Sequence, residues 1–241
     1  MCTLIAVSGL VPGYPLVVAM NRDEFYDRPS VAPELRAGPP RIVCPRDARA
    51  EGTWIGVNEH GVLAAVSNRF SGPPDPGARS RGLLCLEGLA HRDAPAAQSF
   101  AVREADTHVY NPFNLLHADA ERVLCTSREG GATFVRDGLP GVNVLTNAGL
   151  NAGDPRERRV RELLKVANLR FLDTAITGMR VALGDHKDAG GRAICHHGDV
   201  TGTRSQTIVA VSAKGWAQNC LWYAEGHACT SPLVESSDRF R

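Results

Sequence analysis

A chain of 241 residues, 43% of them hydrophobic, is long and apolar enough to bury an ordinary core in one large domain or two small ones. Its 27 basic and 26 acidic residues leave a formal net charge of +1, which argues against nucleic acid or an anionic membrane surface as a partner. No basic stretch precedes an apolar one as in a signal peptide, and no apolar run reaches the roughly 20 residues that span a bilayer. The expectation is a soluble, cytoplasmic protein with no transmembrane segment.

In chain order, "CTLIAVS" and "PLVVAMN" flank the turn "LVPGY" and predict a hairpin. The stretch "RPSVAPELRAGPPRIVCPRD", residues 28–47, is interrupted so often by proline and glycine that it reads as a long connection. "TWIGVNE" and "GVLAAVSN" predict a second hairpin turning at His60 and Gly61, and "SGPPDPGARSRG" reads as another connection. Helix candidates "SRGLLCLEGLAH" and "APAAQSFAVREA" follow, then a meander of "FNLLHAD", "RVLCTS" and "ATFVRDG", then "NVLTN". "DPRERRVRELLKVAN" is the clearest helix: Asp154 is its N-cap, Pro155 takes the first helical position, and Glu157 closes a capping box. Its Val160, Leu163, Leu164 and Ala167 recur on one face. "RFLDTAITGMRVAL" supplies the next helix, and "SQTIVAVSA" with "NCLWYAEG" forms a last hairpin around Lys214 and Gly215. Without repeats, low-complexity tracts or a clean linker, residues 1–241 read as a single domain.

The strands "LIAV", "LVVAM", "VLAAV" and "TIVAV" are apolar at consecutive positions, so both of their faces are buried. Their short connections force antiparallel pairing. Two antiparallel sheets packed face to face, with helices on the outer faces, satisfy both requirements: an α+β fold built as a four-layer α–β–β–α sandwich.

The seven cysteines, Cys2, Cys44, Cys85, Cys125, Cys195, Cys220 and Cys229, are odd in number and scattered, and no CxxC pair is present. Neither a disulfide framework nor a structural zinc is expected, and most of these cysteines read as small buried hydrophobes. "ICHHGD" sets Cys195, His196 and His197 side by side, but neighbours on a strand point to opposite faces, so they are not expected to share a metal. The sequence thus points to no metal and no cofactor.

Cys2 raises the chemical question. Reflecting it about the turn at Pro12 and Gly13 lands on Arg22, so Cys2 should lie beside Arg22 or Asp23 of "NRDE" on the adjacent strand. A methionine before a small residue is normally removed, which would leave Cys2 with a free α-amine of pKa about 7.7–8.0 beside a thiol of about 8.5. That amine can take the proton of its own thiol, the arrangement of an activated nucleophile with the chain terminus as base. Arg22 would favour the thiolate and Asp23 would hold the amine. The plain alternative is an ordinary strand cysteine beside a surface ion pair worth about 0–1 kcal/mol.

With "MC", "MNRDEFYDRPS", "GTWIGVNEHGVLAAVSN", "YNPFNLL", "LTNAGL" and "GTRSQTIV" in order, the whole chain resembles the NRDE-motif family, known in eukaryotes as the transport and Golgi organisation family. That family is similar in turn to the cysteine N-terminal nucleophile hydrolases, such as penicillin V acylase and bile salt hydrolase. The resemblance implies the same sandwich and a catalytic set of Cys2, Arg22, Asp23, Asn68, Asn147 and Arg204. It implies Asn68 as an oxyanion donor, Asn147 as a partner of the α-amine or the scissile amide, and Arg204 near the sulfur. Taken singly, Asn68 and Asn147 also suit strand ends, and Arg204 suits a solvated surface. The expected function is hydrolysis of a linear, non-peptide amide through a Cys2 thioester, with a small-molecule amide or acyl substrate. Two alternatives stand beside it. One is a non-catalytic protein binding haem, an acyl-CoA or a lipid in the same cleft, with His60, His108, His117, His196 and His197 as available iron ligands. The other is a protein–protein module. Oligomeric state is open.

Overall fold

The computed structural model describes residues 2–187 and 193–241. The strands, in chain order, are β1 (Thr3–Val11), β2 (Tyr14–Phe25), β3 (Ser30–Arg36), β4 (Ile42–Asp47), β5 (Ile55–Asn58), β6 (Leu63–Asn68), β7 (Phe113–Ala118), β8 (Val123–Glu129), β9 (Ala132–Asp137), β10 (Gly141–Thr146), β11 (Gly149–Leu150), β12 (Thr201–Val211), β13 (Cys220–Glu225) and β14 (Val234–Glu235). Helices α1 (Arg81–Gly88) and α2 (Ala94–Thr107) follow β6, and α3 (Pro155–Leu164) and α4 (Leu172–Leu183) follow β11. One sheet runs β11–β10–β1–β2–β12–β13–β14, the other β3–β4–β5–β6–β7–β8–β9, and the pairing is antiparallel throughout.

The two-faced burial read from "LIAV" has a direct structural cause. Leu4 and Ala6 point into the core between the sheets, while Ile5 and Val7 pack outward with Val160, Leu164, Ala175 and Met179 of α3 and α4. On the other sheet, α1 and α2 cover β5–β8 with Leu84, Cys85, Ala101 and Ala105. The result is the expected four-layer α+β sandwich.

The first hairpin turns at Pro12–Gly13, where Gly13 takes φ +81°, a left-handed conformation that glycine adopts without strain. Its register opposes Thr3 to Asn21 and Leu4 to Met20, so Cys2 continues alongside Arg22. The polar residue Asn21 is fully buried because its Nδ2 donates to the carbonyls of Leu183 at 2.7 Å and Ile194 at 3.3 Å. The first letter of "NRDE" therefore fastens the end of α4 and the segment beyond it to the sheet.

Residues 28–47 depart from the sequence reading, since they form β3 and β4 rather than a connection. Proline is tolerated there because β3 is an edge strand and the pairing slips by one residue between Val31↔Arg46 and Glu34↔Cys44. Pro33 and Pro45 both fall in that bulge, where no ladder donor is required. The start of α3 differs in one detail. Asp154 caps it, accepting from the amides of Arg156 (2.9 Å) and Glu157 (3.4 Å), but Glu157 reaches back to the amide of Gly153 at 2.6 Å rather than to that of the cap.

His117 on β7 is fully buried under α1, with neither ring nitrogen hydrogen-bonded within the protein. Burial, and secondarily the charge of His91, pulls its pKa down from 6.5 to about 3. The folded state therefore binds the proton less well than the unfolded chain, and stability falls as pH drops from 6.5 towards about 3, by up to about 1.4 kcal/mol per pH unit. His117→Leu flattens this acid slope relative to wild type in urea titrations at a series of pH values. Equal slopes for the two proteins count against it.

Candidate active site

Cys2 enters β1 on the face that looks between the sheets, and only 8% of it is exposed. Burial pushes its thiol pKa up, with the negative charge of Asp23 adding to the effect. A hydrogen bond from the Asp23 backbone and the charge of Arg22 pull the other way. At neutral pH the net result is a protonated sulfur that needs a base to become a nucleophile.

Arg22 occupies the opposing position on β2 and is 3% exposed. Its guanidinium lies 4.2 Å from the centroid of the Trp54 ring, with Glu24 and Asp47 carboxylates each at 4.0 Å. Asp47 is held more tightly by Arg28, at 2.7 Å. Burial lowers the Arg22 pKa, while Glu24, Cys2 and Asp47 raise it. Asp23, one residue on, is buried and accepts a hydrogen bond from the Thr203 hydroxyl at 2.6 Å. Burial raises its pKa, opposed by the Thr203 hydrogen bond and the charges of Arg156 and His196.

The two asparagines meet at the junction of the sheets. Asn68 ends β6 and Asn147 follows β10, and Asn147 Nδ2 donates to the Asn68 carbonyl. Asn147 Oδ1 accepts from Arg156 at 2.8 Å. Arg156, in the first turn of α3, is 8% exposed, and its charge also bears on Asp23. Cys2, Arg22 and Asp23 thus form one cluster, and Arg156 couples it to Asn147 and through that to Asn68.

Arg204 stands apart. It is the bulged residue between Thr203↔Asp23 and Ser205↔Arg22, and its guanidinium donates to the carbonyls of Phe25 and Tyr26 and pairs with Glu225 at 3.6 Å. Those contacts close the end of β2.

Two residues of this neighbourhood escaped the sequence reading. Arg156 was legible only as part of a basic helix start. Arg81, at the start of α1, donates to the Pro112 carbonyl at 2.9 Å, and burial lowers its pKa while Glu24 and Cys2 raise it. The expectation for "ICHHGD" also needs revision. Cys195 and His197, two positions apart, come together with His186 and Cys229, their candidate ligand atoms all within 4.8 Å of one another. The remaining histidines named for haem lie on unrelated parts of the fold: His60 in the β5–β6 turn, His108 capping α2, His117 inside β7.

The sandwich is that of the Ntn-hydrolase-like fold. It superposes on a mutant conjugated bile acid hydrolase from Clostridium perfringens with a TM-score of 0.62 at 11% identity, covering 99% of this chain and 93% of that one. Penicillin V acylase from Agrobacterium tumefaciens gives a TM-score of 0.60 at 14% identity, covering 97% and 85%. The Caenorhabditis elegans ortholog of N-acylethanolamine-hydrolyzing acid amidase gives 0.59 at 17%, covering 92% and 99%. Within that fold the chain belongs to the Transport and Golgi organisation 2 family, whose model matches residues 1–221. The Bos taurus Transport and Golgi organization protein 2 homolog is 30% identical over 232 residues, and the Mus musculus homolog 28% over 232, each alignment covering 84% of both chains. Among the described residues, no helix is long and apolar enough to cross a membrane.

Arg156→Gln is expected to lower kcat for any substrate the site turns over by about 10- to 100-fold with little change in KM, because Asn147 loses its positioning partner. Proportionate changes in kcat and KM, or a matching loss of folded protein, would show a purely structural role.

Proposed function

We propose that this chain is a cysteine amide hydrolase acting on a linear, non-peptide C–N bond. Cys2 is the nucleophile, and the α-amine exposed by removal of the preceding methionine is its base. The observation that carries the reading is the burial of Cys2 between Arg22 and Asp23: the thiol is held protonated by its surroundings, so a base of the chain's own must act on it. The free α-amine, pKa about 7.7–8.0, is matched to that task at neutral to slightly alkaline pH. Asp23 anchors the ammonium form, and Arg22 stabilises the thiolate as the proton leaves.

Attack of the sulfur on the amide carbonyl forms a C–S bond and a tetrahedral oxyanion. Asn68 supplies a hydrogen-bond donor to it, worth about 10²–10³ in rate, and Asn147 holds the α-amine or the scissile amide. Collapse expels the amine, which takes its proton from the α-ammonium. Water then attacks the thioester, releasing the acid and restoring the thiol. Supporting the reading, the three fold neighbours are by name a hydrolase of conjugated bile acids, a penicillin V acylase and an N-acylethanolamine amidase. The cytoplasm and a small acyl-amide substrate remain parts of this proposal. Intact-mass measurement with an electrophilic acyl analogue tests it: loss of the methionine mass and gain of one acyl group on Cys2 are expected. An unlabelled Cys2 with its methionine removed counts against it.

A further inference from the structure

The region beyond α4 holds chemistry that the Cys2 site does not use. We propose that His186, Cys195, His197 and Cys229 form a zinc site of Cys₂His₂ type that staples the segment after α4 to the segment after β13.

The four ligand atoms lie within 4.8 Å of one another. His197 Nε2 is 3.6 Å from Cys195 Sγ and 3.3 Å from Cys229 Sγ. Zinc–sulfur bonds of about 2.3 Å and zinc–nitrogen bonds of about 2.0–2.1 Å, set tetrahedrally, separate ligand atoms by about 3.3–3.8 Å. The two His197 distances already match that spacing, and the widest separation needs to contract by about 1 Å. Two thiolates with two imidazoles select zinc over the oxygen-seeking magnesium and calcium. The thiols lose their protons to solvent on binding, so no oxidant or reductant is involved.

The ligands are held before any metal arrives. The Cys195 amide donates to the Asp185 carbonyl at 3.0 Å, and the Asp185 carboxylate is gripped by Arg159 at 3.0 Å. The His197 ring stacks on His227, centroids 3.6 Å apart, and tilts against His186 at 4.8 Å. Cys195 is buried, Cys229 half-buried, and both histidines are exposed, which leaves an entry path from solvent. Cys195, His196 and His197 lie before β12 in no strand, so alternation does not separate them: His196 stays outside the cluster, while Cys195 and His197 share a side and find their partners elsewhere.

The position has a consequence for the active site. The His196 amide donates to the Thr203 hydroxyl at 3.0 Å, and that hydroxyl donates to Asp23 at 2.6 Å. The stapled loop therefore braces the carboxylate beside Cys2.

The test uses the full chain, purified in reducing buffer without added chelator. Elemental analysis is expected to find about one zinc per chain. After stripping, Co²⁺ titration is expected to produce the visible bands of tetrahedral cobalt and a thiolate charge-transfer band, saturating at one equivalent. Cys195→Ser/Cys229→Ser should lose both signals, whereas Cys220→Ser should keep them. Zinc-loaded protein should also melt at a higher temperature than stripped protein. Reduced wild-type protein that carries no zinc and gives no saturable cobalt spectrum overturns the proposal, as does a Cys195–Cys229 disulfide in the native protein. None of these readouts depends on amide hydrolysis, so failure of the hydrolase reading leaves the metal result standing on its own.

Discussion

Cys2→Ala is expected to leave a folded protein that binds acyl-amide substrates, forms no acyl-enzyme and turns over at least about 10³-fold more slowly than wild type. The substitution removes only the sulfur at a position whose register is fixed by the hairpin with β2, so circular dichroism and melting should barely change. A variant that keeps a residue ahead of Cys2 should fail equally, because the amide it creates is no base. The pH profile of kcat/KM adds a second signature. The α-amine acts only when neutral, so activity rises with pH through about 7.7–8.0 rather than through the higher range of a buried thiol. Turnover in Cys2→Ala equal to wild type, or activity that is flat across that range, would end the case for this nucleophile.

Gly52→Ala is expected to have the largest effect on stability. A Cβ at Gly52 would overlap the backbone of Gly82 and Leu83 in the first turn of α1, where the Thr53 amide already donates to the Gly82 carbonyl at 3.0 Å. Backbone cannot swing aside as a side chain does, so the cost is about 1–3 kcal/mol or more. Gly72 is the comparison: at φ +82° an added Cβ meets open space, and alanine there costs only the conformational strain of about 1–2 kcal/mol. The two differ in a second readout. Gly52→Ala pushes on the Gly82–Leu83 backbone directly after Arg81, so it should also slow acylation of Cys2, while Gly72→Ala should not. Thermal unfolding and single-turnover acylation distinguish them, and a Gly52→Ala protein as stable as wild type would remove the close-contact argument.

What the sequence disclosed, and what it concealed, follows from the range of each interaction. The Cys2–Arg22 neighbourhood depends on one tight turn, and counting residues from Pro12–Gly13 was enough to find it. The sandwich was legible because strands apolar on both faces and joined by short turns have few ways to be covered. β3 and β4 were hidden by Pro33 and Pro45, whose lost donors matter only in a paired strand, and a bulge at an edge removes that cost. Arg156 and Arg81 carry no local mark, since each gains its role from a segment far along the chain. The same holds for His186, Cys195, His197 and Cys229, spread over more than forty positions; the nearby "CHH" and "HAC" were the available hint. Arg204 is the converse: its place in the motif was clear, but a bulge directs its guanidinium to the Phe25 and Tyr26 carbonyls.

The place of β1 in its sheet has a consequence for biosynthesis. It is flanked by β2 and β10, and β2 in turn pairs with β12, so β1 cannot be enclosed until the chain has been made through β12, about two hundred residues further on. During that interval the sheet around Cys2 stays open on one side, and the thiol is shut away only as the last long strand zips into place.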